Sequence, residues 1–217
     1  MTPARRPDGK PRQPYHHGNL RRALLDEALA TISAEGVEGL TLRRIGARLG
    51  VSRTALYRHF TDKGALLGAV ATEGFRALRE QLAAAWEEGG RGDAAFDSMG
   101  SAYVRFALAN PSHYRVMFGG FVERETRDRE LGAEAEGAFQ VLVDALAQLQ
   151  REHIVRPGDD TRAMATHVWA LVHGLAMLAI DGQLDDPGGV EALLPYAFAR
   201  LRSGIATGDA RAPEPGR

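Results

Sequence analysis

The 217-residue chain has no cysteine. Disulfides, a thiol nucleophile and a cysteine-held metal are therefore excluded. It also lacks an unbroken run of the roughly 18 apolar residues that a membrane helix needs. The most apolar segment, residues 167–180, is shorter and carries His167, His173 and Gly174. No secretory signal is legible, because the N-terminal stretch is basic and proline-rich with no apolar segment behind it. A cytoplasmic protein with no membrane contact is the expectation. Sustained period-two alternation is missing too, which argues against strands, and nothing repeats at a fixed period.

Signatures of catalysis are equally scarce. There is no Gly-x-x-x-x-Gly-Lys-Ser/Thr phosphate loop, no Gly-x-Ser-x-Gly elbow and no His-Glu-x-x-His zinc pair. His167 and His173 are six apart, so they do not share a helix face as ligands four apart would. Glu87-Glu88 and Asp159-Asp160 fall at the ends of expected helices, where carboxylates cap or solvate. No catalytic residue, no metal and no cofactor are expected.

What the chain does have is helical periodicity and an uneven charge. Hydrophobic residues make up 44% and charged ones 25%, an ordinary balance for a globular core. The first 63 residues hold twelve Lys or Arg against six acids; the remainder hold fifteen against twenty-two. A basic head on an acidic body is the electrostatic footprint of a nucleic-acid-binding module joined to a separate domain. Apolar spacing predicts helices over residues 20–34, 41–49, 52–59, 61–86, 94–109, 112–118, 130–153, 160–184 and 190–202. Thr41, Ser52 and Thr61 read as N-caps, and Gly36, Gly50 and the run Gly89-Gly90-Arg91-Gly92 read as stops. The expected fold is all-α with about nine helices. Residues 1–14 form a disordered basic arm, 15–62 a three-helix domain, 63–204 a helical body and 205–217 a loose tail.

Residues 41–63, TLRRIGARLGVSRTALYRHFTDK, read as two short helices around a tight turn, the layout of a helix-turn-helix. Ile45, Leu49, Val51, Leu56 and Phe60 form one apolar surface, which Leu24, Ile32 and Leu40 complete as a small core. Gly50 sits where the chain turns sharply, and Gly46 where the two helices cross closely. The outward face of the second helix carries Arg53, Thr54, Tyr57, Arg58 and His59. Arginine pairs bidentately with guanine, and threonine meets a thymine methyl or an acceptor. Tyr57, His59 and Lys63 carry donors suited to phosphate oxygens.

These residues resemble the head of the tetracycline-repressor (TetR) family of transcriptional regulators. The resemblance rests on Leu40-Thr41-Leu42-Arg43, Ile45, Leu49-Gly50-Val51-Ser52, Ala55-Leu56-Tyr57, His59-Phe60 and Lys63, with Tyr15-His16-His17-Gly18-Asn19-Leu20-Arg21 leading into it. It implies base contacts from Arg43, Arg53 and Thr54, and phosphate contacts from Thr41, Tyr57, His59 and Lys63. Ser52 serves either role, and Arg58 stands at a variable position that serves either. Gly46 departs from the more usual alanine. The arm with Arg5, Arg6, Lys10 and Arg12 either reaches an adjacent minor groove or only raises nonspecific affinity.

The resemblance also implies that the body binds a small-molecule effector and forms a homodimer. A short Trp-x-x-x-His-Gly match, Trp169 to Gly174, resembles one group of C-terminal domains in that family. Helical pockets are mostly apolar with a few orienting polar groups. The effector candidates are Tyr103, Phe106, Tyr114, Met117, Phe118, Phe121, Phe139, Leu142, Trp169, His173 and Met177. The last two helices are apolar over more than one face, which predicts a four-helix dimer interface. The expectation is a repressor that binds an inverted repeat in double-stranded DNA as a dimer and is released by a small apolar effector. A DNA-binding dimer without an effector, and an activator, remain as alternatives.

Overall fold

The computed structural model describes residues 20–122, 128–184 and 189–206. The basic arm, the approach through residue 19 and the chain beyond 206 lie outside the described residues. Among those described there are nine helices and no strand, with one isolated bridge between Val155 and Ala206.

The head consists of α1 (Leu20–Glu35), α2 (Leu42–Leu49) and α3 (Arg53–Tyr57). Thr41 caps α2 by accepting from the Arg44 amide at 3.3 Å, and Ser52 caps α3 by accepting from Ala55 at 3.2 Å. Gly50 ends α2 at φ 68°, the left-handed region that glycine enters without a Cβ penalty. A Cβ built on Gly46 would stand 2.9 Å from Leu56 Cδ1, so the bare backbone is what lets α2 and α3 close on each other. Leu24, Leu25, Ala28, Ile32, Leu40, Ile45, Leu56 and Phe60 fill the core, with Leu49 and Val51 half-buried against it.

The third head helix, α3, is shorter than its periodicity predicts. It ends at Tyr57, and the amides of His59 and Phe60 both reach back to the Leu56 carbonyl, turning Phe60 into the core. Thr61 is not the cap of the connecting helix α4 (Lys63–Glu88). Asp62 caps it, accepting from the Ala65 amide at 2.8 Å, while the Thr61 hydroxyl donates to the Asp62 carboxylate. A carboxylate satisfies a first-turn amide more strongly than a hydroxyl does.

In the body, α4 packs against α5 (Asp93–Ala109), α6 (Pro111–Phe118) and, most extensively, α7 (Arg129–Arg151). Pro111 opens α6, where its missing N–H costs nothing. Asp128 and Asp160 cap α7 and α8 (Thr161–Ile180), and α9 (Gly189–Ile205) closes the chain against α8 and α5. The segment whose apolar stretch reads as too short to cross a bilayer belongs to the 20-residue α8. By length and hydropathy that helix would suffice, and 28% of its apolar window is buried in the single chain. It packs against α5, α7 and α9, so one of its faces belongs to the bundle.

Candidate functional site

Around α2 and α3 the head presents a set of exposed polar side chains. Thr41, Arg43, Ser52, Arg53, Thr54, Tyr57, Arg58 and His59 are all exposed there. The arginines of the head divide into two sets. Arg22 bridges Asp26 and Glu73, Arg44 grips Glu35 at 2.7 Å, and Arg48 meets Glu27 at 2.7 Å. Arg43, Arg53 and Arg58 hold no acid among the described residues, so their guanidinium forks face solvent. The adjacent pair Arg43-Arg44 thus splits: one side chain braces the fold and the other stays open. Lys63, read as a phosphate anchor, is half-buried and donates to the Val37 carbonyl at 2.7 Å. One of its three ammonium protons therefore ties α4 to the turn after α1, and two remain.

A cavity of about 830 Å³ occupies the body. Phe75, Leu78 and Leu82 of α4 form one wall, Phe96, Met99 and Tyr103 of α5 another, and Phe198 and Leu201 close it from α9. Its size falls within the roughly 300–1,000 Å³ range of small-molecule sites. A smaller, almost wholly apolar groove of about 280 Å³ lies where head meets body. It runs between Ile32, Gly36 and Val37 on one side and Tyr114, Phe118 and Met177 on the other. Phe118 borders both spaces.

Behind the aromatic wall lies a hydrogen-bonded cluster drawn from three helices. The Trp169 indole donates to the Tyr103 hydroxyl at 3.0 Å. Tyr103 and Tyr114 are 2.9 Å apart through their hydroxyls, and both face His173 Nδ1, at 3.2 and 2.6 Å. Burial pushes the Tyr103 phenol up to about 12 and raises Tyr114 as well, while it lowers His173. Near neutral pH the histidine is accordingly neutral and the tyrosines stay protonated; with a tyrosine hydroxyl donating to it, Nδ1 is the acceptor and Nε2 carries the proton. In the order Trp169, Tyr103, Tyr114, His173, each of the first three then donates to the next.

Of the effector candidates, Tyr103, Met117, Phe118, Phe139, Leu142 and Trp169 line the large cavity. Tyr114 and His173 stand behind the wall and reach Tyr103 by hydrogen bonds. Tyr114, Phe121 and Met177 line the head–body groove instead. Phe106 lines neither: it lies about a turn beyond Tyr103 on α5 and is 2% exposed in the core. The sequence reading missed the wall from α4 and α9, as well as Glu136 and Arg162 at the rim. Phe75, Leu78 and Leu82 were legible as one apolar stripe, but not which neighbour they faced.

Residues 24–70 match the family model for bacterial regulatory proteins of the tetR family, and residues 96–201 match the model for a tetracyclin repressor-like C-terminal domain. The chain is 23% identical over 192 residues to the uncharacterized HTH-type transcriptional regulator YobS of Bacillus subtilis, covering 87% of this chain and 93% of that one. It is 51% identical over 51 residues to the class C tetracycline repressor protein of Escherichia coli, 24% of this chain and 23% of that one. A solved structure from Rhodococcus sp. RHA1, of a protein with unknown function, superimposes with a TM-score of 0.80 at 34% identity, covering 90% of this chain and all of that one.

Proposed function

Since this chain belongs to the tetracycline-repressor family of bacterial regulatory proteins, we propose that it is a repressor that holds an inverted-repeat operator as a homodimer and releases it when a small apolar molecule enters the body. As a member of that family it is a DNA-binding transcriptional regulator, not an enzyme. Arg43, Arg53 and Thr54 read bases in this account, with Arg58 and Ser52 beside them. Thr41, Tyr57, His59 and the two remaining protons of Lys63 meet phosphates.

The observation that carries the effector reading is the shared helix. α4 supplies Lys63 and Glu73 to the head, where they meet Val37 and Arg22, and Phe75, Leu78 and Leu82 to the cavity wall. A molecule filling the cavity presses on the same rigid rod that seats the head. Two-fold symmetry doubles the effect, because the spacing of two heads depends on the tilt of two such rods. A ligand shifts this equilibrium only by the difference in its affinity for the two spacings, and DNA weakens the ligand by the same factor.

Dimerisation through α8 and α9 is supported by what one chain leaves uncovered. Leu178 is 44% and Tyr196 68% exposed on helices that otherwise join the bundle. A second copy laid against them buries that surface.

The test is a melting-shift screen of small apolar compounds, followed by operator affinity with each hit at fixed salt. Compounds that raise the melting temperature should weaken operator binding, and a Leu78→Trp variant should lose their shift. Hits that depend on Leu78 yet leave operator affinity unchanged would separate the cavity from DNA binding and contradict the effector reading.

A further inference from the structure

The lining residues of the large cavity that are exposed are Gly120, Gly132, Glu136, Arg162 and Thr166, so the space opens between α7 and α8. Among the described residues, Glu136 and Arg162 are also the only charged ones in the lining. Arg162 Nη2 contacts both oxygens of the Glu136 carboxylate, at 2.9 and 3.1 Å, and the pair straps α7 to α8 across the opening.

The two partners are not equally held. The Arg162 guanidinium lies 4.9 Å from the centroid of the Phe139 ring, a cation–π contact independent of Glu136. Glu136 has no second partner among the described residues and is exposed. An incoming group therefore displaces the carboxylate more readily than the guanidinium. Among the described residues, no side-chain donor in the lining is open apart from Arg162. The Trp169 N–H and the tyrosine hydroxyls are spent on each other and on His173, and the Thr166 hydroxyl is spent on the Arg162 carbonyl at 2.9 Å. A carboxylate buried deeper in the cavity would lose its water without replacement. At the rim it meets a planar fork already shaped for two oxygens.

We propose that the effector is an amphiphile with an apolar body and a single carboxylate, the body filling the cavity and the carboxylate taking the place of Glu136 on Arg162. This rests on the effector reading above and adds its chemical class. The exchange also supplies a mechanical step. It removes the strap between α7 and α8, and α7 is the helix most widely packed on α4, with Arg76 reaching Glu130 and Glu134 and Arg79 reaching Glu134.

The experiment titrates decanoate, 1-decanol and decylammonium, each below its micelle concentration, into the full chain by calorimetry near neutral pH. Decanoate should bind about fivefold tighter than 1-decanol, the scale of a partly exposed ion pair. Arg162→Gln should abolish that preference, bringing the ratio of decanoate to decanol affinity to one or below. Glu136→Gln should tighten decanoate further, again by about fivefold, because it removes the internal competitor. Decanoate and decanol binding equally in all three proteins would overturn the carboxylate assignment and leave the effector cavity standing. Tighter binding of decylammonium would overturn it in favour of Glu136 as the recognition group. No heat and no melting shift from any probe would overturn the cavity reading and this inference together.

Discussion

Single side chains divide the work sharply. The head shows it in neighbouring arginines, with Arg44 and Arg48 spent on Glu35 and Glu27, and Arg43, Arg53 and Arg58 left open. Replacing Arg53 and Tyr57 together with alanine should weaken operator binding at least about tenfold at constant salt, since a bidentate base contact alone is worth about 1–3 kcal/mol. Affinity equal to wild type, measured by fluorescence anisotropy, would remove α3 from the reading face. In the body, Tyr114→Phe takes away the hydroxyl 2.6 Å from His173 Nδ1 and should lower stability by about 1–2 kcal/mol in urea denaturation. His173 also makes stability depend on pH. Its folded value lies below its ordinary one, so the unfolded chain binds the proton more readily. Stability is then fully present above about pH 6.5 and falls as the solution is acidified below it. His113 shifts the same way through burial, with Glu73 opposing. Melting temperatures recorded downward from neutral pH should drop, and His173→Gln should flatten part of the drop.

Among the elements, the connecting helix has the most to do. α4 begins at a cap shared between Asp62 and Thr61, ties itself to the head through Lys63, and ends as the cavity wall. Filling the cavity from this side with Leu78→Trp should mimic an effector and weaken operator binding without an added ligand. An unchanged operator affinity in a folded variant would disconnect the wall from the head. Helix caps are simpler. Asp160→Ala removes the acceptor for the Ala163 amide and should cost about 1 kcal/mol of stability by thermal denaturation. The elements also mark what the amino-acid order reveals. Ile45, Leu49, Val51, Leu56 and Phe60 lie within sixteen residues of one another, so local periodicity and one turn were enough to assemble them. The cavity draws on α4, α5, α6, α7, α8 and α9. Periodicity gives each helix an apolar stripe but not its partner, so Phe198 and Leu82 could not be paired in advance. Phe106 was misplaced for the same reason, since an aromatic on α5 fits core and cavity equally well. Glu136 and Arg162 are 26 positions apart, and only the packing of α7 on α8 brings them together.

For the whole molecule, holding an inverted repeat requires two copies. α8 and α9 keep Leu178 and Tyr196 in solvent when the chain is alone. Leu178→Asp with Tyr196→Asp should give a monomer by light scattering, and the monomer should bind an operator half-site only weakly. Whether two heads read DNA together is decided by selection of bound sequences from random double-stranded DNA. The wild-type chain should return an inverted repeat whose half-sites lie about 34–36 Å apart or somewhat more, the spacing set by one turn of duplex. A single unrepeated site, or no enrichment over the Arg53→Ala, Tyr57→Ala variant, would contradict it.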